Sequence, residues 1–248
     1  MPWTWYDSTI IRIEQESPNT KRFWLEVEAL DQFDFTPGQF ITMDLPIHQK
    51  RLKRWRSYSI ASVPAGNNII ELCIVYLEKG AASQYLFETA RVGTPIKFKG
   101  PAGAFTLPKT IDSDLVLICT GTGVAPFRSM ILDLQKQGKS HRNIHLIFGT
   151  RREEGLLYRQ EFEQLLRDMD QFQYSIALSR SEHLPSAKPG QDFYPGYVHQ
   201  IYEQYYAKLR SDVHFYLCGW SNMVDEAQKR LTEDLGYAPN QVHCELYG

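Results

Sequence analysis

Two short stretches of the chain contain the residue types that bind phosphates and planar rings. The first, Thr120-Gly121-Thr122-Gly123, follows the apolar run 115–118 and precedes a segment with apolar residues at helical spacing. A strand, a glycine-rich turn and a helix in this order direct backbone N–H groups and the positive end of the helix dipole at the turn, which suits a phosphate. An ordinary connection between a strand and a helix has the same pattern, so the nucleotide interpretation depends on the rest of the chain.

The second stretch is Arg56-Ser57-Tyr58-Ser59, within a predicted strand. Strand alternation places Arg56 and Tyr58 on one face and Ser57 and Ser59 on the other. An arginine beside an aromatic ring suits a ligand that combines a phosphate with a planar group, because the guanidinium binds the phosphate while the ring stacks. A solvated strand with a surface tyrosine is the alternative.

Two further segments have the features of ligand sites. Gly80-Ala81-Ala82-Ser83 opens a predicted short helix, so its N–H groups and its hydroxyl form a candidate anion site. Cys218-Gly219 closes a predicted strand in the second half of the chain, just before another helix. Ligands bind at the carboxyl ends of the strands in open α/β folds, so this position is a candidate binding site.

The elements that must position these residues fall into two classes. Up to about residue 100, short segments alternate between apolar and polar residues, as in Phe23, Leu25 and Val27 with polar neighbours. Six such strands are predicted, at 9–14, 20–28, 39–45, 56–61, 68–76 and 94–99. With one helix, at 82–90, the pattern predicts an antiparallel Greek-key β-barrel.

Beyond residue 113 the pattern changes. Five apolar strands are predicted, at 115–119, 143–149, 172–178, 213–218 and 241–246. They alternate with predicted helices at 124–137, 155–169, 197–209 and 221–235. Alternation of this kind indicates a doubly wound α/β fold, a parallel sheet with helices on both faces. We therefore expect a β-barrel domain over residues 1–105 and a five-stranded α/β domain over residues 106–248.

The composition excludes several classes of function. The chain has 248 residues, 43% of them hydrophobic, and a formal net charge of −2, which does not favour binding to nucleic acid or to a membrane surface. We expect no membrane span and no secretory signal, because apolar runs are short and MPWTWYDST lacks a signal's features. Four scattered cysteines, without CxxC or iron–sulfur spacing, indicate a cytoplasmic protein with reduced thiols and no metal site.

In chain order, the stretches RSYS, GAAS, GTGVAP and CGWSNM resemble the motifs of the ferredoxin–NADP reductase superfamily. Its members are FAD-dependent NAD(P)H oxidoreductases with a barrel domain and a nucleotide domain. The resemblance extends from about residue 10 to residue 247. It implies that a hydride passes from a nicotinamide to FAD, while the protein supplies positioning and electrostatics.

The resemblance also implies roles for the matching residues of the barrel. Arg56 would bind the pyrophosphate of FAD, Tyr58 would stack on the isoalloxazine, and Ser59 would lie near its reactive nitrogen. Ser57 belongs to the same FAD-binding stretch. Gly80-Ala81-Ala82-Ser83 would bind the FAD phosphates at the start of its helix.

In the nucleotide domain, the resemblance implies that Thr120-Gly121-Thr122-Gly123 binds the pyrophosphate of NAD(P). Cys218 and Gly219 would line the place where the nicotinamide meets the flavin, and Met223 would support the helix that follows. The alternative for Cys218 is a buried structural thiol.

The C-terminal stretch resembles the acidic and aromatic ending of the family. Glu245 would help to move the proton that accompanies flavin reduction, and Tyr247 would cover the flavin until the nicotinamide displaces it. A carboxylate on an edge strand and an aromatic packed elsewhere are the alternatives for these two residues.

The residues after two predicted strands bear on the choice of nucleotide. The strand 143–149 runs into Thr150-Arg151-Arg152, where an NAD site would have an acidic residue. The strand 172–178 is followed by Ser179-Arg180, which resembles the 2′-phosphate site of NADP-selective members, and Lys188 would add charge from the same loop. We expect NADPH, with NADH as the alternative if these arginines are merely solvated.

The sequence leaves the electron acceptor open. We expect a small redox protein, such as ferredoxin, flavodoxin or an oxygenase component. The basic run 50–54, KRLKR, is a candidate dock for an acidic partner, although solvated loops have similar runs. Two alternatives are a free-standing reductase of quinone, ferric chelate or flavin, and a non-catalytic electron-transfer or nucleotide-binding subunit of a larger complex.

Overall fold

The computed structural model of the protein describes residues 4–247. Met1, Pro2 and Trp3, which begin the stretch tested for a secretory signal, lie outside the described residues, as does Gly248. Within residues 4–247, no helix has the length and apolar character that crossing a membrane requires.

The chain forms two compact units. The first contains residues up to Leu107 together with Ala125–Asp133, and the second contains Pro108–Val124 together with the residues from Leu134 onward.

The first unit contains a six-stranded antiparallel sheet. Its strands are β1 (Trp5–Ser17), β2 (Thr20–Val27), β3 (Phe40–Asp44), β4 (Trp55–Ser59), β5 (Ile69–Val75) and β6 (Pro95–Ala102). They lie in the order β4-β3-β6-β1-β2-β5, and every adjacent pair is antiparallel. An antiparallel bridge between Ile60 and Leu72 brings the two edges of the sheet together, which closes a barrel. The predicted Greek-key barrel is confirmed.

Alternation along the strands builds the barrel core. Phe23, Leu25 and Val27 of β2 are fully buried, whereas Glu26 between them is exposed. Because successive side chains of a strand point to opposite faces, each strand contributes every second residue to the interior. Burial of these side chains is the main favourable contribution to the stability of the unit.

Two short helical segments accompany the barrel. Helix α1 covers Ala81–Gln84 and continues as a π-helical turn over Tyr85–Thr89, so the predicted helix is present but is regular only in its first turn. A 3-10 helix over Arg51–Arg54 precedes β4 directly, and its four residues are all unburied. The sequence analysis did not predict this second segment.

The second unit contains a six-stranded parallel sheet. Its strands are β7 (Asp114–Thr120), β8 (Ile144–Thr150), β9 (Phe172–Leu178), β10 (Gln191–Pro195), β11 (Val213–Trp220) and β12 (Val242–Tyr247). They lie in the order β10-β9-β8-β7-β11-β12. Its helices are α3 (Arg159–Asp168), α4 (His199–Tyr205) and α5 (Ser221–Lys229). Helix α2 (Val124–Gln137) follows β7 in the chain, and its residues Ala125–Asp133 belong to the first unit. The doubly wound α/β fold is confirmed.

The predicted number of five strands was wrong, because β10 was missed. This strand pairs in parallel with β9 from Gln191 opposite Tyr174 to Pro195 opposite Leu178. It is an edge strand with one neighbour, so most of its residues are only half-buried and no continuous apolar run marks it. An edge position also tolerates a proline, which cannot donate a ladder hydrogen bond.

Helices cover both faces of this sheet. Ile201 and Tyr202 of α4 and Val224 of α5 pack in one core cluster with the strands. On the other face, Phe162 of α3 packs against Tyr174, with ring centroids 5.5 Å apart. The helix predicted over 155–169 begins only at Arg159, because Tyr158 adopts a left-handed φ of 54°.

Candidate functional site

The first candidate site lies on β4 in the first unit. Arg56 is exposed, and its Nη1 donates to the carbonyl oxygens of Lys53 at 3.1 Å and Trp55 at 2.7 Å. These bonds hold the guanidinium beside its own backbone. Its Nε and Nη2 groups have no partner among residues 4–247, so a planar fork of donors faces outward and fits a phosphate.

Tyr58 supplies the aromatic ring of this strand. It is half-buried, packs against the barrel core and lies opposite the buried Ile41 in the β3–β4 register. Burial raises the pKa of Tyr58 to about 12, and the nearby Arg56 opposes this rise. The phenol is therefore neutral at physiological pH, and its ring is held by packing, as a stacking platform requires.

The two serines of the motif differ in exposure. The side chain of Ser59 is 5% exposed, and the residue lies opposite Phe40 in the register. Ser57 is exposed, and its hydroxyl is hydrogen-bonded to that of Thr42 at 3.0 Å.

The topology places the start of α1 at the end of β4 that holds Arg56. Strands β4 and β5 run in opposite directions past the bridge between Ile60 and Leu72. The chain therefore travels along β5 towards the Arg56 end and then enters the turn at Gly80 and helix α1. No side chain caps the beginning of α1, so its first N–H groups remain available to an anion.

The hydroxyl of Ser83, which the resemblance assigns to the FAD phosphates, is hydrogen-bonded within its own turn. The residue is 5% exposed, and its hydroxyl lies 3.0 Å from the carbonyl oxygen of Leu77 and 2.9 Å from that of Gly80. The same oxygen accepts the N–H of Leu77 at 3.0 Å. Its donor hydrogen and one acceptor lone pair are used within the turn, so the hydroxyl shapes the loop, and the assignment of Ser83 to the FAD phosphates stays a prediction.

The second candidate site is the carboxyl edge of the parallel sheet in the second unit. Every strand pair in that sheet is parallel, so all six strands end at the same edge. The strand order runs from β7 towards β8 in one direction and towards β11 in the other, which makes the β7–β11 boundary a topological switch point. Ligands of open α/β folds bind at such points. The sites at 120–123, 150–151, 179–180 and 218–219 all lie on this edge.

The glycines of the turn after β7 have two different purposes. Gly121 has a φ of 53°, and a Cβ there would meet no atom within 4 Å. Gly123 lies so close to β11 that a Cβ would come within 2.3 Å of the carbonyl oxygen of Cys218. Gly121 thus leaves the backbone open to a ligand, whereas Gly123 allows the turn after β7 to lie close to the end of β11. The open turn and the uncapped start of α2 fit a pyrophosphate.

Backbone hydrogen bonds connect the two loops that contain the predicted basic residues Arg151 and Arg180. The N–H of Ser179 donates to the carbonyl of Thr150 at 3.0 Å, and the N–H of Arg180 donates to that of Arg151 at 2.8 Å. Both arginines are exposed. Since β8 and β9 are neighbours, their following loops present two guanidinium groups and one hydroxyl at one place.

Lys188 does not belong to this group, contrary to the prediction. Its ammonium lies 2.7 Å from the carboxylate of Glu163, and its backbone pairs with Gln191, the first residue of β10. The loop after β9 therefore returns to the amino edge of the sheet before it reaches Lys188. The charge of this lysine is neutralised there, far along the sheet from Arg180.

Cys218 and two C-terminal residues lie together at the end of β11 and β12. Glu245 is the register partner of Cys218, and Tyr247 is the register partner of Trp220, two residues further along both strands. Burial raises the pKa of this thiol, a rise that Tyr247 opposes and Glu245 increases. Cys218 is fully buried and stays a neutral thiol at physiological pH, so it acts through packing and weak hydrogen bonding.

Two further predicted site residues, Glu245 and Met223, belong to β12 and α5. Glu245 is half-buried, and burial raises its pKa, so it binds a proton more readily than an exposed glutamate does. Met223, in the first turn of α5, packs against the core of the second unit and supports that helix.

The sequence analysis missed Arg128, a buried arginine that contacts the chain just after β4. Its guanidinium donates to the carbonyl oxygen of Ala61 at 2.7 Å and pairs with Glu71 at 3.1 Å. Glu71 also accepts from Arg22 at 2.6 Å. Arg128 thus holds the chain two residues beyond Ser59. An arginine within the apolar pattern of α2 was the available signal, but its partners lie far away in the sequence.

Two exposed aromatic residues at the carboxyl edge were also missed. Trp220 follows Gly219, is 56% exposed, and donates its backbone N–H to Thr120 at 3.4 Å. Tyr197 follows β10 and is 73% exposed. Large aromatic residues beside a ligand edge supply flat apolar surface for a planar group. Tyr197 was assigned to a helix because β10 was not recognised.

Known protein families match both units. A model described as an oxidoreductase FAD-binding domain matches residues 7–107, and one described as an oxidoreductase NAD-binding domain matches residues 117–229. These ranges contain the β4 motif and the turn after β7.

Two curated relatives cover nearly the whole chain. The chain is 30% identical over 243 residues to ferredoxin–NADP reductase B of Sorangium cellulosum, covering 98% of this chain and 97% of that protein. It is 33% identical over 242 residues to the phenol hydroxylase P5 protein of Acinetobacter pittii, covering 98% of this chain and 65% of that protein.

Solved structures have the same fold at lower identity. The ferredoxin NADP+ reductase of Neisseria gonorrhoeae, with bound FAD and NADP, has a TM-score of 0.77 at 22% identity, and the match covers 98% of each chain. The Amycolatopsis cytochrome P450 reductase GcoB has a TM-score of 0.83 at 22% identity, covering 99% of this chain and 70% of that one. Together with the two domain matches and the 30% identity to a reductase that is covered over 97% of its length, the motifs identify this chain as a member of the ferredoxin–NADP reductase superfamily, the FAD-dependent NAD(P)H oxidoreductases.

Proposed function

We propose that this chain transfers electrons from NADPH through bound FAD to a small redox protein. Residues 1–105 would hold the flavin, and residues 106–248 would hold the nucleotide. The observation that supports this most directly is the carboxyl edge of the second unit, where Gly121, Arg151 and Arg180 follow three neighbouring parallel strands. This edge combines an open turn for a pyrophosphate with two guanidinium groups for a further phosphate.

The residues of the first unit bind and orient the flavin. The outward donors of Arg56 and the first N–H groups of α1 converge at one end of β4, and we assign them to the FAD pyrophosphate. Tyr58 offers a neutral ring held by the barrel core. Bound FAD supplies the redox chemistry, because it accepts a hydride and releases electrons singly or in a pair.

The preference for NADPH rests on the joined loops after β8 and β9. Ser179, Arg151 and Arg180 form a set that suits a 2′-phosphate, since arginine binds phosphate oxygens with parallel N–H donors. NADH lacks that phosphate and would leave both guanidinium groups in solvent. The two coenzymes should therefore differ in affinity.

Cys218 and Glu245 would serve the reaction without covalent chemistry. A neutral buried thiol beside Tyr247 presents an apolar surface and a weak donor, which positions a ring and excludes water. A carboxyl whose pKa is raised by burial binds a proton more readily than an exposed carboxyl does, which suits a group that takes up and releases a proton. We assign Glu245 to proton handling and Cys218 to positioning. Tyr247, near Cys218 at the ends of β11 and β12, would leave this position when a nicotinamide enters.

The names of the relatives support a protein acceptor. One is a ferredoxin–NADP reductase, and others are the phenol hydroxylase P5 protein and the toluate 1,2-dioxygenase electron transfer component, of which this chain covers 65% and 67%. We infer that the acceptor is a ferredoxin, a flavodoxin or an oxygenase component.

Steady-state turnover with NADPH tests this function. The purified holoenzyme would be supplied in turn with an acidic [2Fe–2S] ferredoxin, a flavodoxin and p-benzoquinone. We expect kcat/KM for at least one protein acceptor to exceed that for the quinone by about tenfold or more. Turnover with the quinone alone would contradict the proposal and favour a reductase of small molecules.

A further inference from the structure

Two neighbouring residues of helix α2 hold the chain that follows β4. The Nη1 group of Arg128 donates to the carbonyl oxygen of Ala61 at 2.7 Å. The hydroxyl of Ser129 donates to the carbonyl oxygen of Ser62 at 2.6 Å. Both donors lie in the part of α2 that belongs to the first unit. Their two acceptors follow Ser59 by two and three residues, so α2 fixes the chain just beyond the RSYS motif.

Glu71, on β5, connects these contacts to the barrel. One oxygen of its carboxylate pairs with Arg128 at 3.1 Å, and the other accepts from Arg22 at 2.6 Å. The backbone carbonyl of Glu71 accepts the N–H of Ala61 at 2.8 Å, and its N–H donates to the hydroxyl of Ser62 at 3.0 Å. Ala61 is therefore bonded at its N–H by Glu71 and at its carbonyl oxygen by Arg128.

The charged side chains of this network are almost completely buried. Those of Arg128 and Glu71 are 8% and 4% exposed, and that of Arg22 is 21% exposed. Removing charges from water is costly, and a buried ion pair often stabilises a fold no more than well-packed apolar residues do. Stability alone thus gives little reason for an arginine at this position. Its directional bonds, by contrast, select one position of the chain that they bind.

The end of β4 depends on such bonds, because its regular pairing stops at Ser59. Ser59 is the last residue of β4 in the register with β3, where it lies opposite Phe40. Beyond it, Ile60 forms an isolated bridge to Leu72. A strand end without a continuous ladder opens more easily than the centre of a strand. The bonds to residues 61 and 62 therefore help to set where the side chain of Ser59 lies.

We propose that Arg128 and Glu71 are positioning residues that hold the end of β4, so that the Ser59 hydroxyl lies at the reacting part of the flavin. The inference rests on the proposed function, because it assigns both residues to the reduction of FAD. In that reaction a hydride ion passes from NADPH to oxidised FAD, which gives NADP+ and reduced flavin. No bond to Arg128 or Glu71 forms or breaks.

The guanidinium of Arg128 suits this task. One planar group binds a carbonyl oxygen and a carboxylate at fixed angles, which a flexible ammonium does less well. A displacement of about 1 Å at a reacting group can slow a reaction about a hundredfold, even when the substituted residue lies away from the chemistry. In Arg128→Leu, Glu71 would keep its bond to Arg22, so the buried carboxylate would stay paired and the variant should fold.

Hydrogen exchange of the purified protein without NADPH tests the positioning in the absence of turnover. In Arg128→Leu, the amides of residues 60–62 should exchange about tenfold faster than in the unmodified protein, because the chain there loses its bond to α2. Arg128→Lys should recover part of the protection, since an ammonium can bond to one of the two acceptors. Unchanged exchange at residues 60–62 in Arg128→Leu would overturn the inference.

Stopped-flow reduction of the holoenzyme by NADPH, at equal flavin content, tests the effect on the reaction. Arg128→Leu should lower the limiting rate of flavin bleaching about tenfold and leave the NADPH concentration for half-maximal rate within twofold. Arg128→Lys should recover part of the rate. Ser129→Ala, which removes one bond to the same segment, should lower the limiting rate about threefold. If Arg128→Leu does not fold, the other two variants decide, and unchanged limiting rates in both overturn the inference.

Combination with Ser59→Ala shows whether Arg128 acts through the Ser59 hydroxyl. If it does, adding Arg128→Leu to Ser59→Ala should slow bleaching by less than a further twofold, because the group to be positioned is already gone. Single effects that multiply in the double variant would overturn the inference. An unchanged rate in Ser59→Ala alone would overturn it too, since no hydroxyl would then need to be positioned.

A matched control loses stability without any change at β4. Val27 is a fully buried residue of β2 in the same barrel core. Val27→Ala leaves a cavity, so it should lower the midpoint of thermal unfolding by several degrees and leave the limiting rate of bleaching within twofold. A rate loss as large as that of Arg128→Leu would show a general effect of lost stability and overturn the positioning role.

The remaining outcomes separate the inference from the proposed function. If the unmodified protein reduces ferredoxin with NADPH while the Arg128 variants have unchanged exchange and unchanged rates, the positioning role is wrong and the proposed function stands. If the unmodified protein neither binds FAD nor is bleached by NADPH, both are wrong.

Discussion

The backbone N–H of Arg180 donates to the carbonyl oxygen of Arg151 across 2.8 Å. This bond ties the loop after β9 to the loop after β8. The adjacent bond, from Ser179 to Thr150, repeats the connection at 3.0 Å. Two exposed guanidinium groups are thus fixed at one edge of the sheet by their backbones, while their side chains remain available to a phosphate.

Replacement of Arg180 by alanine should weaken the binding of NADPH selectively. We expect the KM for NADPH to rise about tenfold and that for NADH to change less than twofold, since a charge-assisted bond to phosphate contributes about 1.4 kcal/mol or more. Steady-state kinetics with both coenzymes measure this. Arg152→Ala is the matched control, because Arg152 is a neighbouring exposed arginine outside the joined pair. Equal effects on both coenzymes would contradict a 2′-phosphate site.

Replacement of Cys218 should slow hydride transfer without loss of flavin. Cys218→Ser puts a more polar group into a fully buried position beside Tyr247, so we expect the rate of flavin bleaching to fall about tenfold. Stopped-flow absorbance measures the rate, and the visible spectrum measures the flavin content. Cys244→Ser, at a less buried thiol on β12, is the control. An unchanged rate would make Cys218 a purely structural residue.

Arg56→Ala should weaken the binding of FAD. The variant loses the only donor fork that we assign to the pyrophosphate, so we expect the dissociation constant to rise about tenfold to a hundredfold, with partial recovery in Arg56→Lys. Titration of the apoprotein with FAD, followed by flavin fluorescence, measures it. Arg91→Ala is suitable for comparison, because Arg91 also donates to nearby backbone carbonyls of the first unit. Similar losses in both variants would count against a specific role for Arg56.

Most of the fold could be predicted because its pattern is local. The alternation around Phe23 and the apolar run before Gly121 each indicate, within a few residues, which side chains are buried. The structure has strands at both places. Strand β10 was not predicted, because an edge strand is only half-buried and the sequence of β10, QDFYP, has no apolar run. Its recognition requires the neighbouring strand β9, which local sequence does not show.

The sequence places candidate residues well where they adjoin the end of a strand, although their binding roles stay predictions. Gly121 and Arg180 are of this kind. Three features depend on contacts distant in sequence or on the course of a loop. The Ser83 hydroxyl bonds within its own turn, Lys188 returns to the opposite edge of the sheet, and Arg128 bonds to a carbonyl 67 residues away.

Glu163 should make the stability of the second unit depend on pH. Burial alone would raise its pKa, but bonds from Lys188, Arg159 and Gln191 lower it to about 2. The unfolded value is near 4.3, so the stabilisation is complete above that pH and is lost as the pH falls towards 2.

Urea unfolding of Glu163→Gln checks this at several pH values. We expect the variant to be less stable by about 1 kcal/mol at pH 7, because the side chain is largely buried, with a gap that narrows as the pH falls below 4. Glu233→Gln, at an exposed position, should show no such narrowing. A gap that stays constant or widens in acid would contradict the assignment.

Anaerobic titration of the purified protein with NADPH and NADH, followed by visible absorbance, tests the central claim most directly. We predict the spectrum of bound flavin, with stoichiometric bleaching by NADPH at concentrations about tenfold below those that NADH requires. A protein that is colourless and cannot be reconstituted with FAD, or whose bound flavin neither coenzyme bleaches, would contradict the account.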